Sequence, residues 1–119
     1  MAKALFLSPM VPSTNVVKTA EFLQDALGFS VRILDSEYAI CTRDGLSLHL
    51  LPAGKDLGQL EFYLEVDDLD SMWQQMEPFV NELKHKPPFD QPYLMREVHV
   101  ELPFTKAMMF IGMEIKPSE

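Results

Sequence analysis

Apolar and polar positions alternate along this chain with periods that distinguish strands from helices. Residues 4–8 form a short apolar run that ends at Pro9, which predicts a first strand. Over residues 16–27, apolar side chains recur at helical spacing, and the side chains at 13–15 offer oxygens for the N-terminal cap. Gly28 is suited to the position just after a helix. The first elements are therefore predicted to be a strand and a helix.

Three strands are predicted to follow this helix. Residues 29–34 and 38–42 alternate between apolar and polar side chains, as strands with two different faces do. Asp44-Gly45 is a hairpin-turn signal, and residues 46–51 alternate after it. In this strand Leu46, Leu48 and Leu50 share one face, so His49 lies on the other. His49 is the first candidate for chemistry.

The second half of the chain repeats this order. Residues 52–56 break the pattern and predict a linker, and residues 60–66 alternate as a strand. Asp67 and Asp68 can cap a helix whose apolar positions lie within 69–76. We therefore predict an α+β fold made of two βαβββ units.

The last third of the chain is less regular. Residues 80–86 are compatible with a short strand or a helical turn, and 87–93 contain three prolines, which predict an irregular loop. Residues 94–101 alternate clearly, with Glu97, His99 and Glu101 on one face. Residues 106–115 predict a final strand or strand pair, in which Gly112 is a candidate bulge.

Composition excludes several classes of function. The 119 residues carry a net charge of −8, with ten basic residues against eighteen acidic ones, which disfavours nucleic acid or an anionic membrane surface as partner. Cys41 is the single cysteine, so an intrachain disulfide is impossible, and its apolar flanks favour a buried, inert thiol. The N-terminal apolar run is too short for the core of a signal peptide, which predicts a cytoplasmic protein.

Four segments together resemble a known family. Residues 22–29 (FLQDALGF) are similar to its helix-end motif, and residues 43–49 (RDGLSLH) to its fourth strand. Residues 65–70 (EVDDLD) resemble the start of its second module, and residues 93–100 (YLMREVHV) resemble a strand of its bleomycin-resistance branch. The family is the glyoxalase/bleomycin resistance protein/dioxygenase group, also called the vicinal oxygen chelate superfamily.

This resemblance implies an architecture and an assembly. Two βαβββ modules, at about 1–56 and 57–119, would form a single domain over residues 1–119, with an incomplete barrel around a central cleft. Many members of the family are homodimers with the cleft at or near the subunit interface. We therefore expect a homodimer.

The resemblance also implies where metal-dependent members would place their ligands. The four positions fall on Ser8, His49, Glu61, and Met109 or a close neighbour of it. A serine hydroxyl is a poor ligand for a divalent ion, and a thioether is unsuited to hard cations. Two suitable ligands are left where a catalytic site normally has three or more, although Glu114 could be a third. A cleft without a metal is favoured over one that holds a divalent metal.

Other candidate residues each have an ordinary structural alternative. Tyr63 follows Glu61 along the same strand, and either Glu61 or His49 could simply be a solvated side chain. Arg96 could bind an anionic group of a ligand or form a surface ion pair, and at most one of Arg96 and Glu97 faces the cleft. The remaining side chains singled out are three aromatics expected in the core, a solvated histidine and a histidine without a clear partner: Phe62, Trp73, Phe110, His85 and His99.

Two functions remain open at this point. The favoured one is a metal-free protein that binds and sequesters a small, amphipathic and cationic organic molecule, with Ser8, His49, Glu61, Tyr63, Arg96 and Met109 around it. The alternative is a metal-dependent lyase, isomerase or dioxygenase that uses His49 and Glu61, with Glu114 or a residue of a second chain as a further ligand. In that alternative the metal would polarise a carbonyl or enediolate as a Lewis acid.

Overall fold

A computed structural model describes residues 2–35, 37–54 and 56–115, and each half of the chain forms its own sheet. The elements of the first half are β1 (Met10–Ser13), α1 (Val16–Leu27), β2 (Ser30–Leu34), β3 (Tyr38–Arg43) and β4 (Leu46–Pro52). Those of the second half are β5 (Leu60–Glu65), α2 (Leu69–Met76), a 3-10 turn (Glu77–Phe79), β6 (His85–Gln91), β7 (Met95–Glu101) and β8 (Ala107–Glu114). The order βαβββ thus occurs twice.

The two sheets have the same topology. Their strand orders are β1-β4-β3-β2 and β5-β8-β7-β6. In each sheet the strand before the helix pairs in parallel with the last strand of the module, and the remaining pairs are antiparallel. This confirms the predicted α+β fold of two βαβββ modules.

Local signals fix the ends of the helices. The Asn15 side chain accepts a hydrogen bond from the Lys18 backbone N–H at 3.1 Å, and Asp68 does the same for Ser71 at 3.0 Å. Gly28 ends α1 with a φ of 73°, a conformation that glycine adopts without steric cost. Helix boundaries follow the caps that the sequence predicted.

The hairpin between β3 and β4 also follows its sequence signal. Asp44 and Gly45 have φ values of 51° and 80°, the combination that a two-residue type I′ turn requires. Beyond the turn, Leu48 and Leu50 are buried while Ser47 and His49 are half-buried on the other face. The predicted alternation of this strand is confirmed.

The first strand differs from its prediction. Residues 4–8 are not in a strand, and β1 lies further along, at Met10–Ser13. The register explains the shift: Met10 pairs with His49 on β4, so residues before Leu7 extend past Leu46, where β4 begins. Leu5 and Leu7 are 84% and 96% exposed as a result.

The region predicted as an irregular loop contains a strand. β6 runs through Pro87 and Pro88, because it is the edge strand of its sheet and the register shifts between Lys86 and Phe89. Gly112, by contrast, is not at a bulge, since its strand pairs continuously on both sides.

One apolar core lies between the sheets and the helices. Its fully buried side chains include residues of α1, β4, α2, β7 and β8: Leu23, Leu27, Leu50, Met76, Val98 and Ile111. Cys41 is buried there, as predicted, and burial raises the pKa of its thiol to about 11. Across the described residues, no helix combines the length and apolar character needed to cross a bilayer. Lys55, within the predicted linker, lies outside the described residues.

Candidate functional site

The second sheet has one face toward the core and one face free of helices. On β7, Val98 and Val100 are buried in the same core as Met72 and Met76 of α2. Because side chains alternate along a strand, Glu97, His99 and Glu101 lie on the opposite face. We call this opposite face the open face of the second sheet.

Strand register sets the neighbours on the open face. His99 pairs with Phe110 on β8, and Phe110 pairs with Tyr63 on β5, so these three residues form one row. Glu97, Gly112 and Glu65 form the next row in the same way. The row on the other side consists of Glu101, Met108 and Glu61. Aromatic and acidic side chains therefore alternate across the sheet.

Two adjoining concavities lie on this face. The larger has a volume of about 670 Å³ and includes Glu61, Glu101 and Met108 in its wall. The smaller, of about 310 Å³, is lined by Tyr63, Gln91, Tyr93, Glu97, His99 and Phe110. His99 and Phe110 line both, so the two concavities form one groove with these residues at its middle.

A hydrogen-bonded cluster is centred on Glu97, which is 7% exposed. Its carboxylate accepts hydrogen bonds from Tyr93 Oη at 2.8 Å and Gln91 Nε2 at 3.2 Å, and His99 Nε2 lies 2.9 Å from Oε1. Burial works against ionisation, but the hydrogen bonds from His99, Tyr93 and Gln91 outweigh it, so the pKa of Glu97 lies below its ordinary value. Glu97 is therefore a carboxylate at neutral pH.

Tyr63 lies across the backbone of Gly112. A methyl group placed on Gly112 would come 2.5 Å from the Tyr63 hydroxyl, so the close approach requires glycine. The Tyr63 hydroxyl donates to Glu65 at 3.0 Å, and burial together with this bond raises its pKa to about 12. Tyr63 thus stays neutral in the groove.

The histidine on the first sheet is in a different environment. His49 Nδ1 lies 2.7 Å from the Tyr38 hydroxyl across the β3–β4 pair, and the two rings meet edge to face. Ser8 lies just before β1, the strand that pairs with the strand of His49. The Ser8 hydroxyl is buried and has no hydrogen bond. Neither residue lines the two concavities of the second sheet.

The remaining predicted site residues are divided between the two faces. Glu61 lines the larger concavity and accepts a hydrogen bond from Gln59 at 3.1 Å. Arg96 points away from the open face and joins Asp90 on β6 to Asp70 on α2, at 2.8 and 3.1 Å. Met109 is buried in the core. Arg96 is therefore not brought together with Glu61 and Tyr63, whereas Met109, although buried, lines a separate concavity of about 180 Å³ together with Tyr63.

The residues considered for a metal do not converge. Glu61 pairs with Met108, six residues from Glu114 along β8, a separation of about 20 Å at the rise of a strand. His49 belongs to the other sheet. Among residues 2–35, 37–54 and 56–115 no group of three or more His, Cys, Asp and Glu side chains is arranged to hold a metal ion. The residues present in one chain do not fit the metal site of the metal-dependent members.

His99 and Phe110, at the middle of the groove, were not predicted as site residues. His99 had no clear partner in the sequence, and Phe110 was expected in the core. The alternation of residues 94–101 already placed His99 on the face of Glu97, but which face would be free of helices depended on the packing of α2. Trp73 packs against the core, and His85 is bonded to the Leu83 carbonyl at 2.8 Å.

Comparison with solved structures agrees with the fold. A bleomycin resistance determinant encoded on transposon Tn5 superposes with a TM-score of 0.77 at 20% identity, over 93% of this chain and 98% of that one. A bleomycin-binding protein from Streptomyces verticillus, complexed with copper(II)-bleomycin, gives 0.72 at 21% identity, over 98% and 100%. Lactoylglutathione lyase from Agrobacterium tumefaciens gives 0.72 at 15% identity, over 94% and 95%.

No protein-family model and no curated protein sequence matches this chain. The structural likeness nevertheless covers nearly the whole chain in each case. The chain therefore has the fold shared by bleomycin resistance proteins and glyoxalase-type proteins, as the resemblance of its sequence motifs predicted.

Proposed function

We propose that this chain is a metal-free small-molecule-binding protein of the glyoxalase/bleomycin resistance family, which sequesters an organic molecule on the open face of its second sheet. The observation that supports this most directly is the continuous groove there, with volumes of about 670 and 310 Å³ in its two parts. Volumes of this order suit small organic ligands.

The chemistry of the groove favours an amphipathic cation. Tyr63 and Phe110 offer aromatic surface, and the faces of such rings attract cations. Glu61, Glu97 and Glu101 contribute three carboxylates to the walls of the groove, against the two ammonium groups of Lys84 and Lys106, within a chain of net charge −8. Two of the neighbours above are named for bleomycin, and we extend a binding role of that kind to this chain without specifying the ligand.

We further propose that the protein is a cytoplasmic homodimer in which a second copy closes the groove. In one chain the open face is unprotected: Tyr63 is 48% exposed, and Tyr93 and Phe104 are exposed as well. A second copy would supply a facing wall, and the first sheet with His49 is the surface we expect to face Glu61.

The alternative function is a metal-dependent lyase, isomerase or dioxygenase. One of the structural neighbours is named a lactoylglutathione lyase, which supports this alternative. It would need His49 and Glu61 to meet between two copies, because they lie on different sheets of one chain and His49 is absent from the wall of the concavity that Glu61 lines. Met109 does not assist it, since its thioether is in the core.

The experiment that tests binding is a thermal shift measurement on protein purified without chelator. The probes are bleomycin, phenyltrimethylammonium and its uncharged isostere tert-butylbenzene. A ligand that binds only the folded state increases the free energy of unfolding, by about 2.7 kcal/mol at a concentration of 100 times its Kd, and so raises the melting temperature. We expect the charged probes to stabilise the protein more than the uncharged one, and Glu61→Gln together with Tyr63→Ala to abolish the difference.

Arg96→Gln is the matched control, because Arg96 lies on the other face and should leave the shift unchanged. Elemental analysis of the same preparation distinguishes the metal-free proposal from the metal-dependent alternative. A stoichiometric divalent metal that is lost in His49→Ala would overturn the metal-free proposal.

A further inference from the structure

His99 is held in one orientation by its surroundings. Its ring meets Phe110 edge to face at a centroid distance of 4.2 Å and Phe89 at 5.0 Å. Its Nε2 lies 2.9 Å from Glu97 Oε1. Glu97 is itself fixed by Tyr93 and Gln91. The imidazole is therefore positioned by three elements: β6, β7 and β8.

The hydrogen bond with Glu97 also decides which ring nitrogen has the proton. A carboxylate can accept hydrogen bonds but cannot donate them, so the neutral imidazole must bear its hydrogen on Nε2. Nδ1 then has a free lone pair. Within the described part of the chain Nδ1 has no hydrogen-bond partner, and the His99 side chain is 22% exposed in the groove.

Several charged or titratable groups face His99. Lys86 is its pairing partner on β6, with Nζ 3.7 Å from the centre of the Phe89 ring. Tyr63 lies in the same row on β5, and Glu97 and Glu101 flank His99 on its own strand. Glu61, Lys84 and Lys106 also line the larger concavity together with His99, so aromatic rings, carboxylates and ammonium groups all surround the base at the centre of the groove.

We propose that His99, oriented by Glu97, is a general base that abstracts a proton from a small planar carbon acid bound in the groove. This activity goes beyond sequestration and requires neither a metal nor a second chain. His99 would touch the substrate, and Glu97 would be a positioning residue. A histidine that is aligned by a carboxylate in an aromatic pocket is the arrangement that general-base catalysis uses.

The chemical step balances without a further reactant. The C–H bond of the substrate breaks, Nδ1 takes the proton, and the electron pair stays on the substrate, delocalised into an adjacent electron-withdrawing group. The imidazolium that forms is stabilised by the Glu97 carboxylate. Return of the proton to the same or a neighbouring carbon completes a racemisation or an isomerisation.

A probe reaction tests this base directly. In 5-nitrobenzisoxazole, removal of the proton on carbon 3 breaks the ring N–O bond and yields a nitrile and a coloured phenolate, so the rate is read by absorbance. We expect wild-type protein to exceed the buffer rate on the order of 10²-fold, the lower range for general-base catalysis. His99→Gln should lose this acceleration, whereas His85→Gln should retain it.

The role of Glu97 has a separate readout. The nitrogen shifts of His99 in a ¹⁵N NMR spectrum, recorded at about pH 8 where free histidine is neutral, report the protonated nitrogen. We expect the hydrogen on Nε2 in wild type, and a shift toward Nδ1 with a parallel loss of rate in Glu97→Gln, whose amide can donate to Nε2. A variant that loses its structure is recognised in the same spectrum, because its imidazole then shows the shifts of a free histidine, which populates both tautomers.

Two results would overturn the proposal. One is a wild-type rate that is no higher than the rate of a folded His99→Gln variant. The other is a neutral wild-type His99 with its proton on Nδ1, which needs no variant to establish. The thermal shifts with bleomycin and phenyltrimethylammonium are independent of either result, so failure here is distinguishable from failure of sequestration.

Discussion

Tyr63 and Gly112 show how a single contact shapes the groove. The ring of Tyr63 can approach the backbone of β8 closely, because Gly112 has no Cβ. In this position the ring forms part of the wall of the smaller concavity. The close contact with Tyr63 explains the glycine at position 112, because its backbone is not in a conformation that favours glycine.

This contact leads to a stability prediction. Gly112→Ala should destabilise the protein by about 1 kcal/mol, because the new methyl group displaces the Tyr63 ring. In a Tyr63→Ala background the same change should stabilise the protein by about 0.5–1 kcal/mol, since alanine is favoured over glycine in a strand. Urea unfolding of the four proteins gives the coupling. Equal effects of Gly112→Ala in both backgrounds would show that the ring does not make this contact.

Glu97 is the one buried charged side chain among the described residues, and its ionisation links stability to pH. Because its folded pKa lies below the ordinary value, its stabilising effect is complete above that value and is lost as the pH falls through the folded pKa. Glu97→Gln should therefore cost about 1–3 kcal/mol at pH 7 and progressively less below about pH 4.

Unfolding free energies measured from pH 7 down to pH 3 check this prediction. Glu82→Gln is a suitable control, since Glu82 is exposed and should change stability by less than about 0.5 kcal/mol at any pH. A deficit of Glu97→Gln that does not change with pH would contradict the assignment of Glu97 as an ionised group.

Among the elements, β7 contributes most to the site. Its period-two pattern sends Val98 and Val100 into the core and Glu97 and His99 into the groove. Arg96 follows the core side of this pattern but reaches α2 and β6 at the surface, where it joins two aspartates. β7 therefore contributes side chains to the groove on one face and, through Arg96, an ion pair between the sheet and α2 on the other.

The Arg96 contact gives a prediction about salt. Arg96→Gln should lower stability at low ionic strength, because Arg96 loses its ion pairs with Asp70 and Asp90. The loss should shrink toward zero in 1 M salt, since both aspartates are exposed and Arg96 is only partly buried, and salt screens such pairs. Melting temperatures in low and high NaCl measure the effect. A loss that is independent of salt would point to packing of the arginine stem instead.

At the scale of the whole molecule, the chain is open and flat. Its radius of gyration is 15.0 Å and its shortest dimension is 24 Å, whereas a compact chain of this length would have a radius of roughly 13.5 Å. The N-terminal segment adds exposed apolar surface, with Leu5, Phe6 and Leu7 all more than three-quarters exposed. Exposed apolar surface of this kind is typical of interaction sites.

We therefore predict that the N-terminal segment contributes to the proposed homodimer. Sedimentation at micromolar concentration should give twice the chain mass of 13.6 kDa. Replacement of Leu5, Phe6 and Leu7 by serine should shift the protein toward a single chain, because about 25 cal/mol of association energy is lost per Å² of apolar surface. Phe79→Ser, at another exposed aromatic, should leave the mass unchanged. A wild-type mass of one chain would refute the dimer.

The sequence alone determined the features that depend on neighbouring residues. The caps at Asn15 and Asp68, the glycine after α1 and the turn at Asp44-Gly45 are local in origin, and each was predicted correctly. The repeated order of elements followed from periodicity together with the family motifs. Even the two faces of β7 could be written down from alternation, because side chains on a strand point to opposite sides.

Tertiary structure decided everything that depended on pairing between distant segments. The register of β1 against β4 left residues 4–8 outside the sheet, and the edge position of β6 allowed two prolines in a strand. The packing of α2 determined that Met109 faces the core and His99 the groove. Sequence assigns a side chain to one of two faces, but only the position of the helices decides which face remains open to a ligand.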